Sequence, residues 1–269
     1  MVFFIPIICL IQGTASSSVQ AVENSHRLGV SAGFVFHETR DRLISPLFYE
    51  GWNLQGEVRY RYAGDRYSHD LLFRYSQGAV RSPWGSRYDE DRIDIEYRFS
   101  GRLLAGPRGG SVFLGGRWHN RFVQRVPCMM LDALQDSVQY CDLYSYEFFS
   151  SVGPVLEIHV PVFNKAVFRL VISGSPAAYI RRPGFDFGLS GGQNLPSEVP
   201  PLIERIRGGR VRIFPEFGEA SLAAAFRIPA GKNQLEIVYR FMVVAISGGP
   251  KAETVSHFTG LRIFTGLFQ

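Results

Sequence analysis

The stretch Leu54-Gln55-Gly56-Glu57-Val58-Arg59-Tyr60-Arg61-Tyr62 decides the fold. Leu54, Val58, Tyr60 and Tyr62 fall on one side of an extended chain. Gln55, Glu57, Arg59 and Arg61 fall on the other. Successive Cβ atoms of a strand point to opposite faces, so this strict period of two predicts a β-strand with one oily and one charged face. Ile93, Ile95, Tyr97 and Phe99 repeat the pattern against Arg92, Asp94, Glu96 and Arg98.

The same alternation recurs along the chain. Leu28, Val30, Ala32, Phe34 and Phe36 share one face of a first segment. Leu71, Phe73 and Tyr75 oppose Asp70 and Arg74, and Trp118 and Phe122 oppose Arg117, His119 and Arg121. Tyr146, Phe148 and Val152 oppose Glu147 and Ser151, and Leu170 and Ile172 oppose Arg169. Leu235, Ile237, Tyr239 and Phe241 oppose Glu236 and Arg240. Tight turns are expected at Ala63-Gly64-Asp65-Arg66, at Gly106 to Gly110, at Pro161 to Lys165 and at Ala230-Gly231-Lys232, since Gly and Asp accept turn geometry cheaply. Longer connections are expected over Thr39 to Asn53, Ser82 to Asp89, Val123 to Leu143 and Arg181 to Arg212. Within the last, Val211 to Phe214 and Leu202 to Ile206 flank Arg207-Gly208-Gly209-Arg210 and suggest a separate hairpin. Long and short connections alternate.

Composition narrows the class. The chain has 269 residues and is 46% hydrophobic and 14% aromatic. The longest apolar run beyond the N-terminus is Phe241 to Ile246, far short of the roughly 18 residues a membrane helix needs. The net charge is +5, carried by arginine, with Lys165, Lys232 and Lys251 the only lysines. These arginines alternate with carboxylates and form no basic run, which argues against nucleic acid as a partner.

Three arguments favour a membrane barrel over a soluble β-domain. Long and short connections are sorted, as outer-membrane barrels sort them. The strands are longer than the globular mode of about 5 to 6 residues. The polar face pairs Arg with Glu and Asp, and the planar guanidinium suits a confined interior because it binds carboxylates bidentately. The expected fold is all-β, an up-and-down antiparallel transmembrane β-barrel of about ten strands over residues 22–269. Val2 to Ile11 is a short apolar run followed by small residues, which predicts a signal peptide over residues 1–21. Cleavage is placed after Ala21, and a cut after Ala15 is an alternative. Its n-region carries no positive charge, a departure from the usual pattern. Cys9 lies within the apolar run and reads as leader core. Cys128 and Cys141 share one predicted loop of an exported chain, which predicts a disulfide.

The whole mature chain resembles the small outer-membrane β-barrels of double-membraned bacteria. It closes on Leu261-Arg262-Ile263-Phe264-Thr265-Gly266-Leu267-Phe268-Gln269, and Phe268, one place from the end, resembles the aromatic signal read by the barrel-assembly machinery. The resemblance implies a bacterial outer-membrane location, with outer-membrane lipid and the assembly machinery as partners. It names no functional family.

On the assumed parity the lumen-facing set is Glu57, Arg59, Arg61, Asp70, Arg74, Asp94, Glu96, Arg98, Arg117, His119, Arg121, Glu147, Glu157, His159, Arg169, Arg227, Glu236 and Arg240. Ten strands enclose a filled or narrowly open interior. Charges there must be paired or wet, so a structural ion-pair network and a selectivity-setting pore lining are both open. Arg262 is expected to point inward. Outward aromatics such as Tyr62, Tyr67, Tyr97, Phe99 and Trp118 read as interfacial girdles. Trp84, between Pro83 and Gly85, is the exposed loop aromatic.

The leading functional expectation is a narrow, porin-like, non-enzymatic channel for small solutes. The alternative is a surface adhesin whose long loops bind host ligands. A third is a rim hydrolase of omptin type, prompted by His37, Glu38, Asp89, Glu90 and Asp91 near the outer rim. No residue-for-residue protease motif, no phosphate loop, no nucleophile elbow and no HExxH is present, and no cofactor or metal is expected.

Overall fold

The computed structural model describes residues 25–42, 47–64, 66–106, 109–128, 145–163, 166–182, 207–231, 233–247 and 251–268. The predicted leader and Cys141 fall outside these residues. Of Cys128 only the backbone, the last position of a strand, is described, so the expected bridge also lies outside them.

Twelve strand segments are present: β1 (Ser25–Asp41), β2 (Phe48–Ala63), β3 (Tyr67–Arg81), β4 (Arg87–Ala105), β5 (Ser111–Cys128), β6 (Ser145–Pro161), β7 (Val167–Ser175), β8 (Ala177–Arg181), β9 (Arg210–Ile213), β10 (Phe217–Ala230), β11 (Asn233–Ile246) and β12 (Ala252–Phe268). Every pairing is antiparallel, and β5 pairs β6 while β1 pairs β12, so the sheet closes. The segments make ten staves. β7 and β8 both pair β6 and are one stave interrupted at Pro176, which has no N–H to give the ladder. Between Val155↔Ser173 and Val152↔Ala177 the broken stave carries one extra residue, a β-bulge. β9 and β10 likewise form one stave around 214–216, against β8 and β7 respectively. The result is a closed, up-and-down, ten-stave antiparallel barrel.

The strands outrun the expected boundaries at one end. Thr39 to Asp41 and Phe48 to Asn53 are strand where a connection was expected, leaving 42–47 as the link. Asp89 to Asp91 lies inside β4, and β5 continues to Cys128 through the expected cysteine loop. β9 pairs β8, which places Val211 to Ile213 in the barrel wall. These segments mix polar and apolar residues on one face, with Tyr49, Asn53 and Glu90 all buried, so the hydrophobic periodicity fades there while the backbone ladder continues. The connections at 64–66, 106–110, 162–166 and 231–232 share one end with both strand termini. Those at 42–47, 82–86, 129–144, 182–209 and 247–251 share the other.

The polarity of the barrel is inverted relative to a soluble core. Val30, Phe34, Leu54 and Leu261 are each at least 57% exposed on the outside, whereas Arg59, Arg61, Arg121 and Arg169 are at most 3% exposed within. Polar groups on the outer wall find partners nearby. His69 Nδ1 lies 2.8 Å from the Tyr97 hydroxyl and His257 Nδ1 lies 2.9 Å from the Tyr239 hydroxyl. Trp118 Nε1–H donates to Ser150 Oγ at 2.9 Å. Such internal satisfaction is what an apolar surrounding demands.

The seam between β1 and β12 is closed by aromatic rings laid over glycine. Gly29 sits opposite Phe264, and a Cβ there would lie 2.6 Å from the ring. A Cβ on Gly33 would meet Thr259 O at 2.3 Å and the Phe258 ring at 2.7 Å. Without side chains on the glycines, both rings lie across the inner face at 1% exposure.

Candidate functional site: the barrel lumen

All eighteen residues assigned to the lumen from the alternation point inward, and all but His159 and Arg227 are buried. They form ion-pair clusters stacked along the barrel axis. Nearest the short connections, Arg59 donates to Asp70 through Nε (3.0 Å) and Nη2 (2.5 Å). Arg169 bridges Asp70 (2.8 Å) and Glu157 (2.6 Å), and Arg61 donates to Glu157 at 3.0 Å. His159 also contacts Glu157. Arg262 joins Glu236 (2.7 Å) to Glu57 (2.5 Å), Arg227 completes the Glu236 pair, and Arg240 reaches Glu57 at 3.5 Å and Gln55 at 3.1 Å.

A middle cluster gathers three arginines around one carboxylate. Arg74, Arg98 and Arg117 all meet Glu96, the last at 3.4 Å. Arg117 continues to Glu219 at 2.7 Å. His119 stands between Glu219 (2.9 Å) and Asp94 (2.8 Å), and Arg121 donates to Asp94 at 2.8 Å. Ser151 donates to the second Glu219 oxygen at 2.7 Å.

Toward the long connections a third cluster appears. Arg125 joins Glu90 (2.8 Å) to Asp41 (3.5 Å), Arg92 lies 3.2 Å from Glu90, and Arg182 connects Asp41 to Glu147 (3.1 Å). Most of this cluster escaped the alternation reading because its residues sat in predicted connections. Glu219 was missed at a strand start. Arg92 lay on the polar face of its strand, and Arg262 was placed inward and is so. Glu90, placed near the outer rim by the sequence, is 1% exposed inside the barrel, while Asp89 and Asp91 point outward. His37 is also inside, not at an open rim. Its Nδ1 is 2.8 Å from Ser256 Oγ and its Nε2 4.0 Å from Glu90. Both side chains are buried.

The lumen is not charged all round. Phe149, Ala178, Ile180, Phe217, Met242, Val244, Ile246 and Ala252 form a buried apolar cluster on the opposite side. Val35, Ala225, Val238 and Phe258 form another. Arginines on neighbouring strands lie against this apolar surface, Arg121 beside its ladder partner Phe149 and Arg240 beside its ladder partner Phe258. The Arg121 guanidinium sits 5.0 Å over the Phe149 ring and 3.0 Å from Met242 Sδ, and Arg240 sits 4.9 Å over Phe258. Arg covers apolar surface with its stem and stacks its flat head on rings. A void of about 20 Å³ is left at mid-lumen, between Arg59, Arg98, Arg169, Arg240, Arg262 and their neighbours. That is room for about one water.

No protein-family model and no curated protein matches the chain. Solved structures similar to it are outer-membrane β-barrels. They include Ail, the attachment invasion locus protein of Yersinia pestis (8% identity, 89% of this chain and 99% of that one, TM-score 0.37). The translocator domain of the autotransporter NalP from Neisseria meningitidis has 8% identity, 88% coverage of both chains and a TM-score of 0.41. An outer membrane channel from Pseudomonas putida F1 has 9% identity, covering 95% of this chain and all of that one, with a TM-score of 0.37.

Proposed function

We propose that this chain is a bacterial outer-membrane β-barrel that works as a narrow conduit for small solutes, its passage limited by its own ion-pair network. The observation that carries this reading is the lumen itself. An inside-out barrel dries its outer wall and concentrates charge along its axis, where only small species can follow. Buried arginines outnumber buried carboxylates, and Arg27, Arg102, Arg182 and Arg227 add to the excess, so the preferred ion is an anion. The reading calls for outer-membrane lipid around the apolar wall and for the assembly machinery at the C-terminal strand.

Planar-bilayer recording of the refolded protein tests it. Wild type should pass a small, anion-preferring current. Arg240→Ala, which removes a side chain lining the mid-lumen void, should raise it. A large wild-type conductance of the wide-porin kind would overturn the network as the limiting element. Silence in both wild type and Arg240→Ala would overturn the conduit. The second reading, a barrel that anchors surface loops for host ligands, is favoured by the small size of the mid-lumen void. It would then stand alone, to be tested by deleting 129–144 and 183–206 and measuring ligand binding.

A further inference from the structure

At the end of the barrel that carries the short connections, the lumen opens into a cavity of about 200 Å³. It is ten times the mid-lumen void and differs from it in kind. Arg27, Arg61, Arg102 and Arg227 line it, with His159 and Phe113. They come from β1, β2, β4, β10, β6 and β5, so the site exists only because the barrel closes. Among its described lining residues none is acidic. The nearest carboxylates stand behind the wall and are shared: Glu157 serves Arg61, Arg169 and His159, Glu236 serves Arg227 and Arg262, and Asp70 serves Arg59 and Arg169.

Donor capacity here exceeds what the protein uses. Arg61 is 3% exposed, and its Nε and Nη1 have no hydrogen-bond partner; the closest carboxylate oxygen to Nε, on Asp70, is 4.0 Å away. The Nε of Arg102 is buried and equally unpartnered, and its guanidinium lies 5.8 Å over the Phe113 ring. Buried N–H groups without acceptors are costly, and clustered cations repel, unless an anion or water fills the gap.

We propose that this inner-mouth cavity is a binding site for a tetrahedral oxyanion, a free phosphate or sulfate or the corresponding group of a small solute. Guanidinium forks present paired donors that match such oxygens, and a partly enclosed site raises the strength of each contact. Chloride offers no such geometry. The site stands on the cavity and its unpartnered donors and does not depend on whether the barrel conducts.

Isothermal titration of the refolded full-length barrel with sodium phosphate, against sodium chloride at matched ionic strength, tests this. Phosphate should give a saturable, single-site isotherm and chloride none. Arg61→Gln should weaken phosphate about tenfold or more, in line with the loss of a charge-assisted hydrogen bond. That variant also strips Glu157 of a partner, so Arg102→Gln serves as the second. Among the described residues no carboxylate pairs with Arg102, and its loss should weaken phosphate similarly in a barrel of unchanged heat-modifiable mobility. Arg87→Gln removes an exposed arginine paired with Asp89 and should leave binding intact. The proposal is overturned if phosphate gives no saturable heat, if chloride matches it, or if Arg102→Gln has no more effect than Arg87→Gln.

Discussion

The wall formed by β2–β5 and the wall formed by β8–β12 face each other across one lumen and differ in how densely they carry charge. The first presents Glu57, Arg59, Asp70, Arg74, Glu90, Asp94, Glu96 and Arg117, all buried. The second presents Ile180, Phe217, Met242, Val244, Ile246 and Phe258, buried as well, beside only Glu219, Arg227, Glu236, Arg240 and Arg262 as charged inward residues among those described. The difference shows how a small barrel fills itself. Neither wall would serve alone, because two charged walls would leave surplus desolvated groups and two apolar walls would leave a gap no side chain spans. Arginine solves both at once, holding a carboxylate with its head while its stem and flat plane cover apolar neighbours, as Arg121 does against Phe149 and Met242.

The largest disturbance should come from the shared carboxylate of the charged wall. Glu96→Ala leaves Arg74, Arg98 and Arg117 without their common partner and should cost about 3–5 kcal/mol. Urea titration of folding into lipid vesicles measures it. A loss below 1 kcal/mol would mean that water replaces the carboxylate and that this wall is wet. Its neighbour in sequence tests the other face of the same strand. Ile95→Arg puts a charge on the outer wall, where Ile95 is 42% exposed, and should cost about 2–4 kcal/mol near the bilayer midplane. Neutrality in the same titration would remove the membrane from the account. The smallest effect is expected on the apolar wall. Met242→Leu nearly conserves volume and should cost less than about 1.5 kcal/mol, although it removes the sulfur that Arg121 meets. Asp94→Leu, on the facing wall, should be several-fold worse, because it strips Arg121 and His119 of their acceptor. Equal costs for the two leucines would erase the distinction between the walls.

Much of the lumen was readable along the chain and some was not, for local reasons. The alternation through Leu54 to Tyr62 and Ile93 to Phe99 assigns every residue there to its face, since a strand has no third direction. It fails where polar and apolar residues share a face near the rim, and this hid Glu90 and Arg125, whose backbones still pair across β4 and β5. It also fails at irregularities. The extra residue around Pro176 flips parity, so that Ala178 and Ile180 continue the inward row begun by Arg169, Val171 and Ser173. A pattern count across Pro176 places them outside.

The sequence by itself determined that the chain is all-β, that its strands run up and down in about ten staves, and which face of most strands carries charge. Those properties are local: they follow from a period of two and from turn residues a few positions away. The partners inside were decided only by the tertiary structure. Arg117 meets Glu219 and Arg262 meets Glu57 across more than a hundred residues of chain. Five separate strands bring Arg27, Arg61, Arg102, Arg227 and His159 to one mouth. Which carboxylate an arginine reaches depends on the closure of β1 on β12, the stagger of the staves and the bulge at Pro176. No stretch of sequence holds that information, because it is a property of the closed ring.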